Sequence, residues 1–402
     1  MSKLPGTAAA WIARHRGGLI LLLALSPVFL LAATWLVNAL IYADSDFFSF
    51  WLAGRMNWTQ QSPYSAEQWI AGHSQNGAQW VSDATFLYPL PLAVLLAPLG
   101  LLPLKAAYIL WVTLSQVAVV VSILLLAGLE RGRPRAPLVF PLLLGAFVLR
   151  PTLVTLRNGQ LGAFLLLAAC LAIYLWSRGA WFQGALALAC LLLKPTLGGP
   201  VIALALVWLL ARRQSNAIAG LAACALAFFL LGALRDPGWA GQFLAFGGQK
   251  LNSTFGYSPT LWGLSSLACG ANAACTWAAG GLTSLACLVG TAAVLLARKG
   301  LSPWSALGLI LATALLATPY VWGYDQVLLL APIAWITATL YRRGEAYLLT
   351  AVIPLSFAIL SLGLLYLATR FNKDAWSALL PLACAALLLA CVFRPSHPQP
   401  AR

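Results

Sequence analysis

Long apolar runs separated by short polar segments dominate the chain. Runs that approach about twenty residues are long enough to cross a bilayer as helices, and no alternating pattern typical of strands competes with them. The pattern predicts about twelve membrane-spanning helices. The predicted spans are 19–42, 106–129, 136–156, 160–177, 180–196, 197–211, 215–234, 276–297, 303–320, 325–341, 347–368 and 376–393.

One apolar run, residues 88–103, does not fit this series. It is short and carries four prolines, which disfavour a continuous helix. If it crossed the membrane, the basic cluster at 130–135 would move to the outer side, against the positive-inside rule. We therefore expect a short or re-entrant helix on the outer side.

The composition agrees with a bilayer as solvent, because 61% of the 402 residues are hydrophobic and only 8% are charged. The predicted fold class is an all-α polytopic membrane protein with one transmembrane domain over 19–393. Residues 1–18 are expected to be a cytoplasmic N-terminus and residues 394–402 a cytoplasmic tail. Two polar outer loops are predicted, at 44–87 and 235–259. The first is rich in tryptophan and tyrosine, which favours short interfacial helices.

The net charge of +15 has a topological origin. Basic residues lie at the ends of the spans, which argues against a nucleic-acid partner. With the N-terminus inside, most of them face the cytoplasm, and most acids face outward. The expected location is the plasma (inner) membrane, with the outer loops in the periplasm or exterior. The outward acids are Asp44, Asp46, Glu67, Asp83, Asp236, Asp325 and Asp374.

Two cysteines, Cys269 and Cys275, flank a five-residue segment on the predicted outer side. An oxidising compartment permits a disulfide there, and two free thiols are the alternative. The spacing of cysteine and histidine along the chain matches no zinc or iron–sulfur pattern.

Candidate chemistry gathers on the predicted outer face. Asp44 and Asp46 follow the first span, and the cations Arg55, Arg157 and Lys194 are placed at the same level. A phosphate near a carboxylate base would require such cations. Simpler alternatives are solvated interface charges, a snorkelling lysine and an ordinary hairpin turn. Further polar candidates for binding a substrate are Asn158, Gln160, Tyr88, Tyr320 and Asp325.

Several short motifs in the first half of the chain resemble glycosyltransferase family 87. The likeness spans about residues 19–215, and beyond it only the helix pattern is similar. The motifs are Asp46-Phe47-x-x-Phe50-Trp51-x-Ala53-Gly54-Arg55, Pro63-Tyr64, Tyr88-Pro89-x-Pro91, Pro98-Leu99, Leu102-Pro103, Ala107, Leu110-Trp111, Asn158-Gly159-Gln160, Gly184 and Lys194-Pro195.

The resemblance implies a GT-C-like bundle that transfers a hexose, typically mannose, from a polyprenyl-phosphate donor to a lipid-linked or envelope glycan. By motif, Asp46 would be the catalytic base, with Asp44 as the second candidate. Arg157, Lys194 and Arg55 would hold the donor phosphate, and displacement would invert the sugar. We expect no metal or other cofactor; the partners are donor, glycan or glycolipid acceptor, and membrane lipids. The alternatives are a lipid-linked glycan transporter or flippase, and a scaffold subunit.

Overall fold

The computed structural model describes residues 8–40, 45–78, 81, 83, 85–129, 136–254, 257–270, 272–343, 347–371 and 373–393. Within these ranges the regular secondary structure is entirely helical, which confirms the predicted all-α class. Asp44, the basic cluster at 130–135 and the predicted tail at 394–402 lie outside the described residues.

Five helices make up the first part of the fold. The first is long and apolar, and the next two lie in the predicted outer loop 44–87. They are α1 (Ala8–Asn38), α2 (Asp46–Trp58), α3 (Ala66–Gln75), α4 (Leu90–Leu95) and α5 (Ala97–Gly100).

Seven helices follow, and the second and third of them form a pair bent by 59°. A short 3₁₀ helix, Cys190–Leu193, separates the fifth from the sixth. They are α6 (Leu104–Ala127), α7 (Ala136–Val148), α8 (Arg150–Asn158), α9 (Gly162–Trp176), α10 (Trp181–Ala189), α11 (Pro195–Ala211) and α12 (Ser215–Arg235).

The last seven helices complete the fold. Two 3₁₀ helices, Gly323–Leu329 and Asp374–Ala378, precede the fifth and the seventh of them. They are α13 (Trp239–Thr254), α14 (Leu261–Ala268), α15 (Ala273–Ala297), α16 (Pro303–Ala317), α17 (Leu330–Arg342), α18 (Tyr347–Phe371) and α19 (Leu379–Phe393).

By length and composition, six helices in the described part of the chain could cross a membrane, or up to seven if the bent pair α7 and α8 counts as one span. Four shorter apolar helices accompany them. Several long helices leave most of their surface exposed, as α12 does, and an apolar exposed surface of this size requires lipid. The protein is therefore a multi-pass membrane protein.

The run at 88–103 forms two short helices, α4 and α5, of six and four residues. Six helical residues rise only about 9 Å, far less than the thickness of a bilayer core. Both helices pack against α2 instead. Gly54 and Gly100 make this contact possible, because a Cβ added at Gly54 would lie 2.5 Å from the carbonyl oxygen of Leu96, and one at Gly100 would lie 2.3 Å from the backbone of Arg55.

Most aromatic side chains of α2 lie in the protein core and not on the surface of the predicted outer loop. Phe47, Phe48, Phe50 and Trp51 are all buried in the protein core. The Trp51 indole N–H donates to the carbonyl of Leu102 at 2.9 Å. Because this face packs against protein, α2 is a rigid part of the fold.

Arginine and lysine side chains gather where α11, α15 and α19 end. Arg212 donates to the carbonyl of Lys299 at 2.6 Å, and the Arg298 guanidinium lies 4.4 Å from the ring centroid of Phe393. Arg343, after α17, donates to the carbonyl of Cys391 at 3.1 Å. One end of the bundle is therefore basic, and we call it the basic end.

The opposite end holds the disulfide that the sequence left open. Cys269 and Cys275 form a disulfide that joins the end of α14 to the first turn of α15. The Trp262 indole in α14 donates to the carbonyl of Ala317, at the end of α16, at 3.1 Å. Since α16 begins near the basic end, this contact places the disulfide at the other end of the bundle.

Arg150 forms an ion pair across the fold. Its guanidinium contacts Asp374 at 2.9 Å and also donates to Ser377 at 2.8 Å. The pair joins the start of α8 to the 3₁₀ helix that precedes α19.

Candidate active site

A cavity of about 340 Å³ opens at the end of the bundle opposite the basic end. The N-terminus of α2, the turn after α8, the start of α11 and the segment after α16 contribute to its wall. Six residues singled out in the sequence line it, namely Asp46, Tyr88, Asn158, Gln160, Lys194 and Tyr320.

Asp46 is the first residue of α2, where a carboxylate interacts favourably with the helix dipole. The next residue, Phe47, fixes this end of the helix. Its ring is buried and stacks on Tyr108 of α6 with centroids 4.8 Å apart. The carboxyl group of Asp46 is consequently presented to the cavity by a helix whose own position is determined by core packing.

The turn after α8 brings two amide side chains to Asp46. Gly159 ends the helix in the left-handed conformation, with φ of 65°, which glycine adopts without steric cost. Its carbonyl accepts a hydrogen bond from the Trp111 indole at 2.8 Å, and the carbonyl of Arg157 accepts one from the Tyr108 hydroxyl. The turn is therefore anchored on α6, which also supports Phe47.

Both amides donate to the same carboxylate oxygen. Gln160 Nε2 lies 2.8 Å from Asp46 Oδ2, and Asn158 Nδ2 lies 3.3 Å from it. The Tyr88 hydroxyl donates to Gln160 Oε1 at 3.3 Å. A carboxylate only accepts, so these contacts fix the amide of Gln160 with its nitrogen towards Asp46.

The environment of Asp46 changes its basicity. Burial raises the pKa of the carboxyl group above its ordinary value, and the hydrogen bond from Gln160, the charge of Lys194 and the hydrogen bond from Asn158 oppose that rise. The carboxylate of Asp83 adds to it. A carboxylate with a raised pKa is a stronger base than an exposed aspartate, which suits it to accept a proton near neutral pH.

Lys194 lies at the break between α10 and α11. The break falls two residues before the end of the predicted span 180–196, and α11 continues through Pro200. The lysine is buried, and its Nζ contacts both carboxylate oxygens of Asp325 at 2.7 and 2.8 Å. A snorkelling lysine would reach lipid headgroups; this one points into the protein.

Aromatic groups form much of the remaining wall. The Lys194 ammonium lies 4.8 Å from the ring centroid of Tyr324, and the Trp322 indole donates to the Tyr320 hydroxyl at 2.8 Å. Rings of this kind can pack against the C–H faces of a sugar. The other aromatic lining residues are Phe50, Trp69, Phe86, Tyr88 and Phe243.

Sequence reasoning missed several members of this wall. Asp83 was counted among the outward acids but not singled out, and Trp69 was read only as part of an aromatic loop. Trp322 and Tyr324 flank Asp325 closely enough in sequence that they could have been included with it. Phe243 gave no sequence signal beyond its place in the second outer loop.

Three predicted site residues in the described part of the chain do not line the cavity, namely Arg55, Arg157 and Asp325. Asp44 lies outside the described residues. Arg55 is exposed; its guanidinium lies 5.4 Å from the ring centroid of Trp51 and contacts the carbonyl of Gly100 at 3.4 Å. Arg157 is also exposed and is not among the lining residues. Asp325 reaches the site indirectly, through Lys194.

Within the described residues, no group of three or more histidine, cysteine, aspartate or glutamate side chains could hold a metal ion. Catalysis without an added metal stays a prediction. The resident charges are sufficient for two tasks. Asp46 can accept a proton from a hydroxyl group, and Lys194 can contact an anion.

Comparison with known proteins shows which family the chain belongs to. The family model of glycosyltransferase family 87 matches residues 86–319, more than half of the chain. This match begins after α2 and extends beyond residue 215, where the motif likeness in the sequence ended. No curated protein and no solved structure matches the chain. The family match, in agreement with the helical membrane fold, identifies the chain as a member of glycosyltransferase family 87.

Proposed function

We propose that the protein transfers a hexose, with mannose as the expected sugar, from a polyprenyl-phosphate donor to a lipid-linked or envelope glycan. The observation that carries this proposal is the cavity shared by Asp46 and Lys194. A carboxylate with a raised pKa and a lysine ammonium line one space at the end of a membrane bundle. A lipid-phosphate sugar presents a sugar and an anion at this boundary, while its tail stays in the bilayer.

In the proposed reaction, Asp46 accepts the proton of an acceptor hydroxyl as its oxygen attacks the anomeric carbon of the donor sugar. The new bond between that oxygen and the anomeric carbon forms as the bond from the anomeric carbon to the phosphate oxygen breaks. The polyprenyl phosphate leaves with the bonding electrons. A single displacement of this kind inverts the anomeric configuration. General-base assistance contributes about 10²–10⁴-fold to such a step.

Lys194 is the proposed partner of the donor phosphate. It is the cationic side chain among the described lining residues, and a charge-assisted contact with a departing phosphate would stabilise the developing negative charge. We no longer assign this role to Arg55 or Arg157, because neither lines the cavity. Asn158 and Gln160 support the base through their hydrogen bonds, and the aromatic wall would contact the sugar.

We further propose a GT-C-like bundle with twelve crossings. Each span predicted from the sequence overlaps a described helix, and five crossings would be made by the four shorter apolar helices and by α17 with its preceding 3₁₀ helix. Tilted or broken helices of this length cross where other helices surround them.

The proposed orientation has the basic end in the cytoplasm and the cavity in the periplasm or exterior of a plasma (inner) membrane. The positive-inside rule supports it through Arg212, Arg298, Lys299 and Arg343 at the basic end. The disulfide between Cys269 and Cys275 at the cavity end supports it independently, because structural disulfides persist in oxidising compartments.

The purified protein in lipid vesicles, incubated with radiolabelled polyprenyl-phosphate mannose and a membrane-glycan extract as acceptor, tests the proposal. We expect label to move from the donor to the acceptor, with inverted configuration and at an unchanged rate in the presence of EDTA. Donors carrying other hexoses serve as the specificity control. Movement of labelled lipid across the vesicle membrane without transfer would favour a flippase and contradict the proposal.

A further inference from the structure

Asp325 holds Lys194 in a geometry that engages both carboxylate oxygens. The ammonium contacts them at 2.7 and 2.8 Å, and the backbone N–H of Trp322 donates to Asp325 Oδ2 at 3.0 Å. Both partners are almost completely buried, with Asp325 1% and Lys194 4% exposed. The carboxylate is thus fixed by its own backbone turn, and the lysine is fixed by the carboxylate.

The two partners differ in their access to the cavity. Lys194 lines it, whereas Asp325 does not. Asp325 therefore lies behind the ammonium as seen from the cavity, on the 3₁₀ helix Gly323–Leu329. A carboxylate in this place cannot itself reach a substrate without displacing the lysine. It acts on whatever enters the cavity through the position and charge of Lys194.

Asp46 is a competing partner for the same lysine. The charge of Lys194 already reaches Asp46, where it favours the ionised carboxylate. A lysine released from Asp325 would find Asp46 as another carboxylate lining the same cavity. Pairing there would make Asp46 a weaker base and would also occupy the place that a substrate hydroxyl must approach.

We propose that Asp325 is a positioning residue that holds the Lys194 ammonium against the cavity wall and so prevents it from neutralising Asp46. This inference rests on the proposed function. In the free enzyme the pair with Asp325 keeps Lys194 from forming an ion pair with Asp46. On donor binding, the phosphate contacts Lys194 from the cavity side while Asp325 contacts it from behind. Lys194 then contacts the departing phosphate without lowering the basicity of Asp46.

Other ionisable groups also lie around Asp46, and the comparison proposed below leaves each of them except Asp325 in place. Asp83 contributes a like charge. The groups around the carboxylate are Asp83 and Tyr88 before α4, Tyr108 in α6, Lys194 before α11, and Tyr320, Tyr324 and Asp325 after α16.

The test is the pH dependence of kcat/KM for transfer from polyprenyl-phosphate mannose, compared between the wild type and Asp325→Asn. The acid limb of the profile is the fall in kcat/KM at low pH, where Asp46 becomes protonated. If the released lysine pairs with Asp46, this limb moves to lower pH by about one to three pH units. The apparent donor KM rises at the same time, because the lysine is no longer held for the phosphate. A purely structural role for Asp325 would reduce the active fraction without moving the limb.

Asp374→Asn is the matched control. Asp374 also pairs with a cation, Arg150, at 2.9 Å, and neither residue lines the cavity. This variant loses the same charge from a comparable ion pair. We expect its acid limb and donor KM to equal those of the wild type. An equal displacement of the limb in both variants would overturn the inference.

The double variant Lys194→Gln with Asp325→Asn gives a second reading if Asp325→Asn does not fold. Removing both charges leaves neither member of the pair as an unpaired buried ion, so this variant is expected to fold. Its acid limb should lie at or above that of the wild type, since no lysine is available to Asp46. A limb moved to lower pH in the double variant would overturn the inference. If the wild type transfers no sugar, the proposed function is contradicted. If the wild type transfers sugar and the acid limb of Asp325→Asn does not move, only the role of Asp325 is contradicted.

Discussion

Gln160 donates from its side-chain nitrogen to Asp46 at 2.8 Å, and this contact joins residues 114 positions apart in the chain. The hydrogen bond from Gln160 stabilises the ionised carboxylate and opposes the effect of burial on its pKa. The balance between the two effects sets the pH at which the proposed base becomes active.

Replacing Gln160 with leucine should move the acid limb of kcat/KM to higher pH. Burial already raises the pKa of Asp46, and the variant removes the hydrogen bond that opposes this rise, so the base is protonated over a wider range. A hydrogen bond to a charged group contributes about 1.5–3 kcal/mol, which corresponds to about one to two pH units. The pH profile of transfer measures this displacement.

Asn158→Ala provides the comparison for that experiment. Its bond to Asp46 is longer, at 3.3 Å, and the displacement should be smaller in the same direction. An acid limb that moves to lower pH in Gln160→Leu would mean that Gln160 does not stabilise the carboxylate.

Gly159→Ala should strongly reduce transfer. A Cβ at this position would lie 2.5 Å from Phe47 Cβ and 2.7 Å from the Tyr108 ring, so the groups that position Asp46 would have to move. The left-handed backbone adds a cost of roughly 1–2 kcal/mol. Transfer rate and thermal stability in detergent are the measurements.

Gly179→Ala separates these two effects. Gly179 also has a positive φ, of 81°, but an added Cβ would meet nothing within 4 Å. We expect a similar backbone cost with unchanged transfer per folded molecule. Equal loss of transfer in both variants would argue against the packing explanation.

Lys194→Ala should lower both stability and donor affinity. It leaves the buried carboxylate of Asp325 unpaired, which costs about 3–5 kcal/mol. Adding Asp325→Ala should recover much of the thermal stability, because neither charge of the Lys194–Asp325 pair is then left buried without its partner. Donor affinity, measured by titration with polyprenyl phosphate, should remain weak in the double variant. Recovery of affinity together with stability would mean that Lys194 has no role in phosphate binding.

The orientation predicts which thiols an impermeant maleimide can reach on intact cells. The reference protein has the six cysteines outside the disulfide replaced by alanine. Cys269→Ala in that protein releases Cys275, which is exposed at the cavity end, and it should be labelled without permeabilisation. Lys299→Cys in a variant without Cys269 and Cys275 should be labelled only after permeabilisation. The reverse pattern would place the cavity in the cytoplasm.

The helices, and the approach of Asp46 and Lys194 to one site, could be predicted from the sequence because each has a local signal. Apolar runs define the helices, and a polar residue where such a run ends is conspicuous. The pairing of Lys194 with Asp325 could not be predicted, because it depends on how two helix breaks 131 residues apart meet in space.

Two other expectations failed because they depended on the direction in which side chains point from a helix. Arg157 and Asn158 are neighbours in sequence, but a helical turn points consecutive side chains about 100° apart, and only Asn158 reaches the cavity. The aromatics of α2 follow a membrane span, which favours the interface in the sequence pattern. Their burial arises from the contact of α2 with α5 and α6, which a local pattern does not contain.

Transfer by Asp46→Asn is the most direct measurement of the central claim. Asparagine keeps the size of the side chain but cannot accept the proton, so the rate should fall by about 10²–10⁴-fold while the protein stays folded. Asp236→Asn is the control, since the Asp236 carboxylate accepts hydrogen bonds from Gly238 and Gln242 and does not line the cavity. Its rate should equal that of the wild type. A folded Asp46→Asn protein that transfers mannose at the wild-type rate would contradict the account.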